Sequence, residues 1–240
     1  MRTFLTTASS LSVRWAALAL TAGLSLSASG LATAAGPVRS SAAVGVMGQA
    51  PKAVSPSPFV VLYDQNDNDA GNAYTSQNFE ADNDAFDNQG ADDFVVPAGV
   101  AWGVQEVLIT GAYYNGTGPA PTLHVTFYRD AGGKPGKVRA DFPAVVPVDN
   151  GTGSFAIKLP KRVTLKPGTY WVSVQANMDF AVGGQWGWQA RTVQSNNPAQ
   201  WQNPADGFGT GCASYAAMGT CLGSAAPDFM FALTGKSKPL

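Results

Sequence analysis

The chain has 240 residues, 13% of them charged, a formal net charge of −1, two cysteines and one histidine. That is about half the charge density usual for a soluble domain, yet an apolar content of 45% excludes a disordered chain. The acid–base balance excludes a protein that binds nucleic acid by neutralising phosphates, and the lone histidine excludes most catalytic zinc sites.

Residues 1–35 read as a secretory signal peptide. Arg2 and Arg14 belong to a long polar leader, Trp15 to Leu26 is an uncharged, mostly apolar run, and Ala32-Thr33-Ala34 is a small-x-small cleavage site. The apolar run is too short to span a bilayer, which takes about 20 residues. Cleavage near Ala34 or Ala35 leaves a chain of net charge −3 with no membrane span, expected free in the periplasm or the medium. Residues 36–57, rich in Ala, Ser, Val and Pro, read as a flexible linker or leader.

A first strand is expected over Phe59 to Tyr63. Asp64 to Asp93 then holds nine acids and six asparagines and no lysine or arginine. Interleaved carboxylates and amide oxygens suit calcium, which takes six to eight oxygen ligands. Calcium is therefore the candidate cofactor, with Asp64, Asp67 and Asp69 as candidate ligands and Asp92 or Asp93 added from the next strand. The spacing is not that of an EF-hand, and the alternative is a solvated acidic loop. Asp92 falls on the side of Phe94 and Val96, so if buried it needs a cation or hydrogen-bond donors.

From here the hydrophobic period is two. Asp93–Val96, Trp102–Gly111, Leu123–Tyr128, Phe155–Leu159, Tyr170–Asn177 and Phe229–Leu233 read as strands. Ala144–Val148 is another, placed at a sheet edge by Pro147. Pro97-Ala98-Gly99, Gly132 to Gly136, Asn150-Gly151 and Lys166-Pro167-Gly168 supply turns. With 27 glycines and 16 prolines, long helices are disfavoured. The fold expected is all-β: a single antiparallel β-sandwich of jelly-roll type over residues 58–235, with 236–240 as a short tail.

Three stretches, Ala91 to Gly99 (ADDFVVPAG), Phe127 to Gly136 (FYRDAGGKPG) and Gly168 to Val174 (GTYWVSV), resemble an uncharacterised β-sandwich module of secreted and surface-attached bacterial proteins. Together with Phe229 to Gly235 they cover the chain from about Tyr63 onward. The resemblance implies a common sandwich and assigns no activity.

Gln185 to Phe208 is dense in tryptophan and amides. Trp186 and Trp188 are two apart and share one strand face. With Gln185, Arg191 and Trp201 they form a candidate ligand site, rings stacking on a sugar and amides bonding its hydroxyls; the alternative is core packing. Cys212 and Cys221 are expected to form a disulfide closing a small loop. His124 reads as a surface residue. Lys134, Lys137, Arg139, Lys158, Lys161, Arg162 and Lys166 read as a solvated strand-and-turn face. No catalytic residue stands out. The function expected is non-catalytic binding or structure, calcium-stabilised and contacting an extracellular glycan or cell-surface polymer, with no nucleic-acid partner. A small polysaccharide-active hydrolase or lyase and a ligand-free matrix protein are the alternatives.

Overall fold

The structure, a computed structural model, describes residues 59–240, all within one compact unit that spans Val54–Leu240. The expected signal peptide (1–35) and leader (36–57) lie outside the described residues. In chain order the strands are β1 (Val60–Asp64), β2 (Asp69–Thr75), β3 (Gln77–Asn78), β4 (Gln89–Val96), β5 (Val100–Ile109), β6 (Gly111–Tyr114), β7 (Thr122–Asp130), β8 (Pro135–Val145), β9 (Val148–Asp149), β10 (Phe155–Leu165), β11 (Gly168–Asn177), β12 (Gln185–Arg191), β13 (Gln200–Gln202), β14 (Ala216–Ala217), β15 (Asp228–Phe229) and β16 (Phe231–Pro239). Helical structure among the described residues is limited to a 3-10 segment over Ala81–Phe86 and two short helices, α1 (Phe180–Gly183) and α2 (Met218–Leu222). No helix there is long and apolar enough to cross a membrane.

The fold is all-β, with antiparallel sheets arranged consistently with a sandwich. One sheet has the order β1-β16-β5-β10-β9, and a second β14-β13-β4-β11-β7-β8 with β3 beside β11. A third, smaller sheet sets β12 between β15, β2 and β6. This third sheet is more than two packed sheets require, and β3 pairs with β11 in parallel. The alternating residues of the sequence supply the core. Phe94 of β4 meets Trp102 of β5 at 6.2 Å, Tyr170 of β11 at 6.1 Å, Phe127 of β7 at 6.3 Å and Phe231 of β16 at 6.5 Å, joining the first two sheets. Trp188 brings β12 into the same core through Phe231, at 6.0 Å.

Three expected boundaries are corrected. Ala144–Val148 is not one strand: β8 ends at Val145 and β9 begins at Val148, because Pro147 lacks the N–H that would continue the ladder. Residues 236–240 are not a tail, since β16 runs to Pro239 against β5, with Lys236 opposite Gly103 and Lys238 opposite Ala101. The acidic segment is not a plain loop. It contains β2, β3, the 3-10 segment and the start of β4. The turns at Pro97–Gly99 and Lys166–Gly168 join β4 to β5 and β10 to β11 as expected.

Candidate binding groove

The tryptophans expected to stack on a ligand are core. Trp186, Trp188 and Trp201 have no exposed surface. Each indole N–H donates to a backbone carbonyl: Trp186 to Gly153 O at 2.7 Å, Trp188 to Met230 O at 2.8 Å and Trp201 to Thr75 O at 2.9 Å. Trp188 stacks on Phe229 at 4.7 Å, and Trp186 tilts against Phe155 at 5.3 Å. Both faces of β12 are covered, so sharing a strand face does not bring the rings to solvent. Trp171 is buried too, its Nε1 donating to Asp130.

Arg191, also assigned to the ligand, is buried and structural. Its Nε bonds Asp67 Oδ1 at 2.6 Å, and Nη1 donates to Val193 O and Ser195 Oγ. Of the expected ligand set, Gln185 alone reaches the surface.

The five candidate metal ligands do not converge. Among the described residues no three His, Cys, Asp or Glu side chains gather where they could hold a metal ion. Asp64 Oδ1 caps its own turn through Asn66 N, Asp67 is held by Arg191, and Asp69 accepts from Gly71 N and from Gln189 Nε2. Asp92 is fully buried, and its donors are protein groups. Its Oδ2 accepts from Gln65 Nε2 (2.9 Å) and Phe229 N (2.7 Å), and its Oδ1 from Asp93 N. Asp93 is also buried and bonds Asn197 Nδ2 at 2.6 Å. These residues do not fit a calcium ion: they do not gather in one place, and each has at least one oxygen held by a protein donor, with Asp93 Oδ1 the buried oxygen left without a partner. Burial, with the negative charge of Asp228 nearby, pushes the Asp92 carboxyl well above the usual range. Burial alone is the main cause for Asp93, raised to about 6, and for Asp228, raised to about 7.

The surface instead offers a groove made of two adjoining hollows that share Gln185 and Phe208. The first, about 250 Å³, is lined by Phe79, Asn83, Phe86, Phe180, Gln185 and Phe208. The second, about 530 Å³, runs along β2 and β6 past Asn72, Tyr74, Tyr113, Tyr114 and Gln189. Phe86, Phe180 and Phe208 remain 38%, 42% and 39% exposed, unusual for rings of this size. Phe208 stands edge-on to Phe86 at 5.2 Å and rests on buried Trp201 at 6.1 Å.

Local chemistry fixes these rings. Asn203 is fully buried; its Nδ2 donates to Ala85 O and Asp87 O, and its Oδ1 accepts from Phe208 N. Gly207 donates to Ala85 O, and a Cβ there would lie 2.3 Å from that oxygen, so only glycine allows the approach. The loop carrying Phe208 is thus stitched to the 3-10 segment carrying Phe86. Glu80 does the same for Phe180: its Oε2 accepts from Phe180 N and its Oε1 from Asn83 Nδ2, both at 2.7 Å. Its own backbone N–H and that of Phe180 hold the Glu80 carboxyl below the usual range. Gln185 Oε1 accepts from Asn115 Nδ2 at 2.6 Å, which fixes its amide at the edge shared by the two hollows. The disulfide Cys212–Cys221 ties the end of this loop to α2, with Cα atoms 5.8 Å apart.

The lining of both hollows is aromatic, amide, hydroxyl and alkyl; its titratable groups are tyrosines, and Tyr113 and Tyr114 are raised by burial. The lone histidine is elsewhere, on β7, with its Nε2 2.7 Å from Asp141 Oδ1. The sequence signal for the groove was available but faint. Phe86, Phe180 and Phe208 each sit among Asp, Ala and Gly, outside any alternating run.

No protein family matches the chain, and no curated protein matches it in sequence. Among solved structures, the chain is similar to the crystal structure of the cysteine protease and lectin-like domains of Cwp84, a surface-layer-associated protein of Clostridium difficile. The identity is 10% and the TM-score 0.37, over 64% of this chain and 32% of that one, so the chain spans about a third of that structure's length.

Proposed function

We propose that the protein is a secreted, non-catalytic binding module, a β-sandwich of jelly-roll type that holds an extracellular glycan in the aromatic–amide groove. The observation that carries this is the composition of the groove: exposed phenylalanine rings beside the amides of Asn83 and Gln185, with no side chain in the lining that titrates near neutral pH. Rings stack on the apolar C–H face of a sugar, and amides donate to and accept from its hydroxyls. The groove contains neither a nucleophile–base pair nor two facing carboxylates, which hydrolysis of a glycosidic bond requires. Pockets that orient a ligand typically combine an apolar lining with a few polar groups in this way.

The test is an array of neutral glycans probed with the full chain and with Phe208→Ala and Gln185→Ala. Retention of a glycan, lost in both variants while their melting temperatures stay near that of the parent, supports the proposal. No retention of any neutral glycan, or retention unchanged in both variants, overturns it in favour of a structural matrix role. Turnover of the retained glycan would replace binding with catalysis.

A further inference from the structure

A second pair of hollows lies at the other end of β5. One, about 360 Å³, is lined by Arg139, Asp141, Phe142, Lys161, Arg162 and Thr164 among others; its neighbour, about 110 Å³, shares Arg162 and Thr164 and adds Lys236 and Lys238. Lys236 pairs with Gly103 and Lys238 with Ala101, near the start of β5, whereas the aromatic groove begins past its far end, at β6. A ten-residue strand covers about 33 Å, so the two sites are distinct.

This second trough is built. β10 slips in register against β5 between Lys158 and Val163, which lifts Lys161 and Arg162 out of the ladder. The stem of Arg162 then lies across Gly103, where a Cβ would come within 2.6 Å of Arg162 Cδ. Arg139 Nη2 donates to Thr164 O at 2.6 Å, which anchors one corner of its guanidinium and leaves other N–H groups free. Among the described residues none of Arg139, Lys161, Arg162, Lys236 and Lys238 makes an ion pair. The lone acid of the lining, Asp141, is engaged by His124 and by Thr126 Oγ1. Five cations without an ion-pair partner thus converge from β8, β10 and β16, against the single carboxylate of Asp141, on a chain whose net charge is −1. Such a concentration focuses field on an anionic ligand.

We propose that this cationic trough is a second binding site, and that it takes an anionic polysaccharide. Charge spacing points to that class. β16 and β10 flank β5, so the backbones that carry the lysines and the Lys161–Arg162 pair run about 10 Å apart, two strand spacings, with the Arg162 stem reaching over β5 between them. That pitch suits a chain bearing one carboxylate, sulfate or phosphate on every sugar or two. Duplex DNA carries a charge about every 1.7 Å and rewards a denser basic surface.

The experiment measures binding of the full chain to polygalacturonate, heparin, dextran and a 20-base-pair DNA duplex at low and high salt. The variants are Lys236→Gln/Lys238→Gln, Arg162→Gln, and Arg129→Gln/Lys134→Gln as a charge-matched control outside the trough. Expected is binding to polygalacturonate or heparin and not to dextran, weakened about tenfold by the double lysine variant and by raised salt, with the control within about twofold of the parent. Melting temperature reports whether each variant is folded; the two lysines are exposed, so their variant stands if Arg162→Gln does not fold. Absence of binding to both anionic polysaccharides, an equal loss in the control, or tighter binding of the DNA duplex overturns the proposal. The neutral-glycan groove is untouched by these substitutions, so either site can fail without the other.

Discussion

Phe208 and Trp186 are both large aromatics in one polar stretch, yet they do opposite work. Trp186 is fully enclosed and hydrogen-bonded, while Phe208 leans on Trp201 with one edge in water. Trp186→Ala should therefore cost about 3–5 kcal/mol, the range for deleting a buried aromatic. That lowers the melting temperature by about 10 °C or more in a domain of this size. Phe208→Ala should leave the melting temperature within a few degrees and act on ligand retention instead. A Trp186→Ala protein that melts with the parent would contradict the core assignment. The acidic residues separate in the same way. Asp67 and Asp69 already hold Arg191 and Gln189, so adding calcium or EGTA should leave the melting temperature unchanged within about 1 °C. A calcium-dependent rise of several degrees would mean that these acids regroup around the ion.

At the scale of elements, the loop between β13 and β14 is the part of the groove most dependent on a covalent tie. Asn203 N donates to Cys212 O, and Cys212 is bonded to Cys221 on α2. Closing a loop of this size contributes about 2.5–3 kcal/mol in the chain-entropy model. Replacing both cysteines by alanine should lower the melting temperature by about 5–10 °C. It should also weaken ligand retention, because Phe208 hangs on the same loop; a variant that melts unchanged would show that side-chain packing alone holds it. The strands that form the sandwich were legible because one face alternates: β7, β10, β11 and β16 carry Leu123/Val125/Phe127, Phe155/Ile157/Leu159, Tyr170/Val172/Val174 and Phe231/Leu233. β2 was not, since Asp-Ala-Gly-Asn-Ala-Tyr-Thr has no period-two apolar face, and its pairing with β12 decides its conformation. The groove was illegible for a related reason. It gathers residues from β2, the 3-10 segment, β6, α1, β12 and the Phe208 loop, a proximity set by tertiary packing and not by spacing. The sequence left the tryptophans open between ligand contact and core packing, and because both faces of β12 are covered they are core.

Across the whole molecule, the three sheets meet over buried acids. Asp92 lies on β4, Asp228 on β15, and Gln65, just after β1, bonds Asp92 and the Phe229 carbonyl while accepting from Tyr63. Asp93 sits beside them, capped by Asn197, with Asp130 adding negative charge. Among the described residues the one cation at hand is Arg191, 4.0 Å from Asp228 and committed to Asp67. Three carboxyls against one guanidinium favour retained protons. An unfolded aspartate titrates near 3.9, whereas Asp93 is raised to about 6 and Asp228 to about 7, the latter interacting with Asp92, which burial also pushes well above the usual range. Between these ranges the native state binds more protons than the unfolded chain, so stability falls as pH rises. The contribution is complete below about pH 4 and is lost as pH rises through about 7. Asp67, lowered chiefly by its bond to Arg191, and Glu80 act in the opposite sense and lose their contribution in acid. The melting temperature should therefore peak near pH 5 and fall by roughly 5 °C by pH 8. Asp228→Asn should flatten that decline. Its Oδ2 accepts from Ser195 N while Oδ1 has no partner, so an amide oxygen can keep the one bond it makes. Asp92→Asn should instead destabilise at every pH, because both Asp92 oxygens accept from N–H groups and an NH₂ would face a donor. A melting temperature that climbs steadily to pH 8 would show that these acids are ionised in the folded protein and that the junction of the three sheets tolerates their charge.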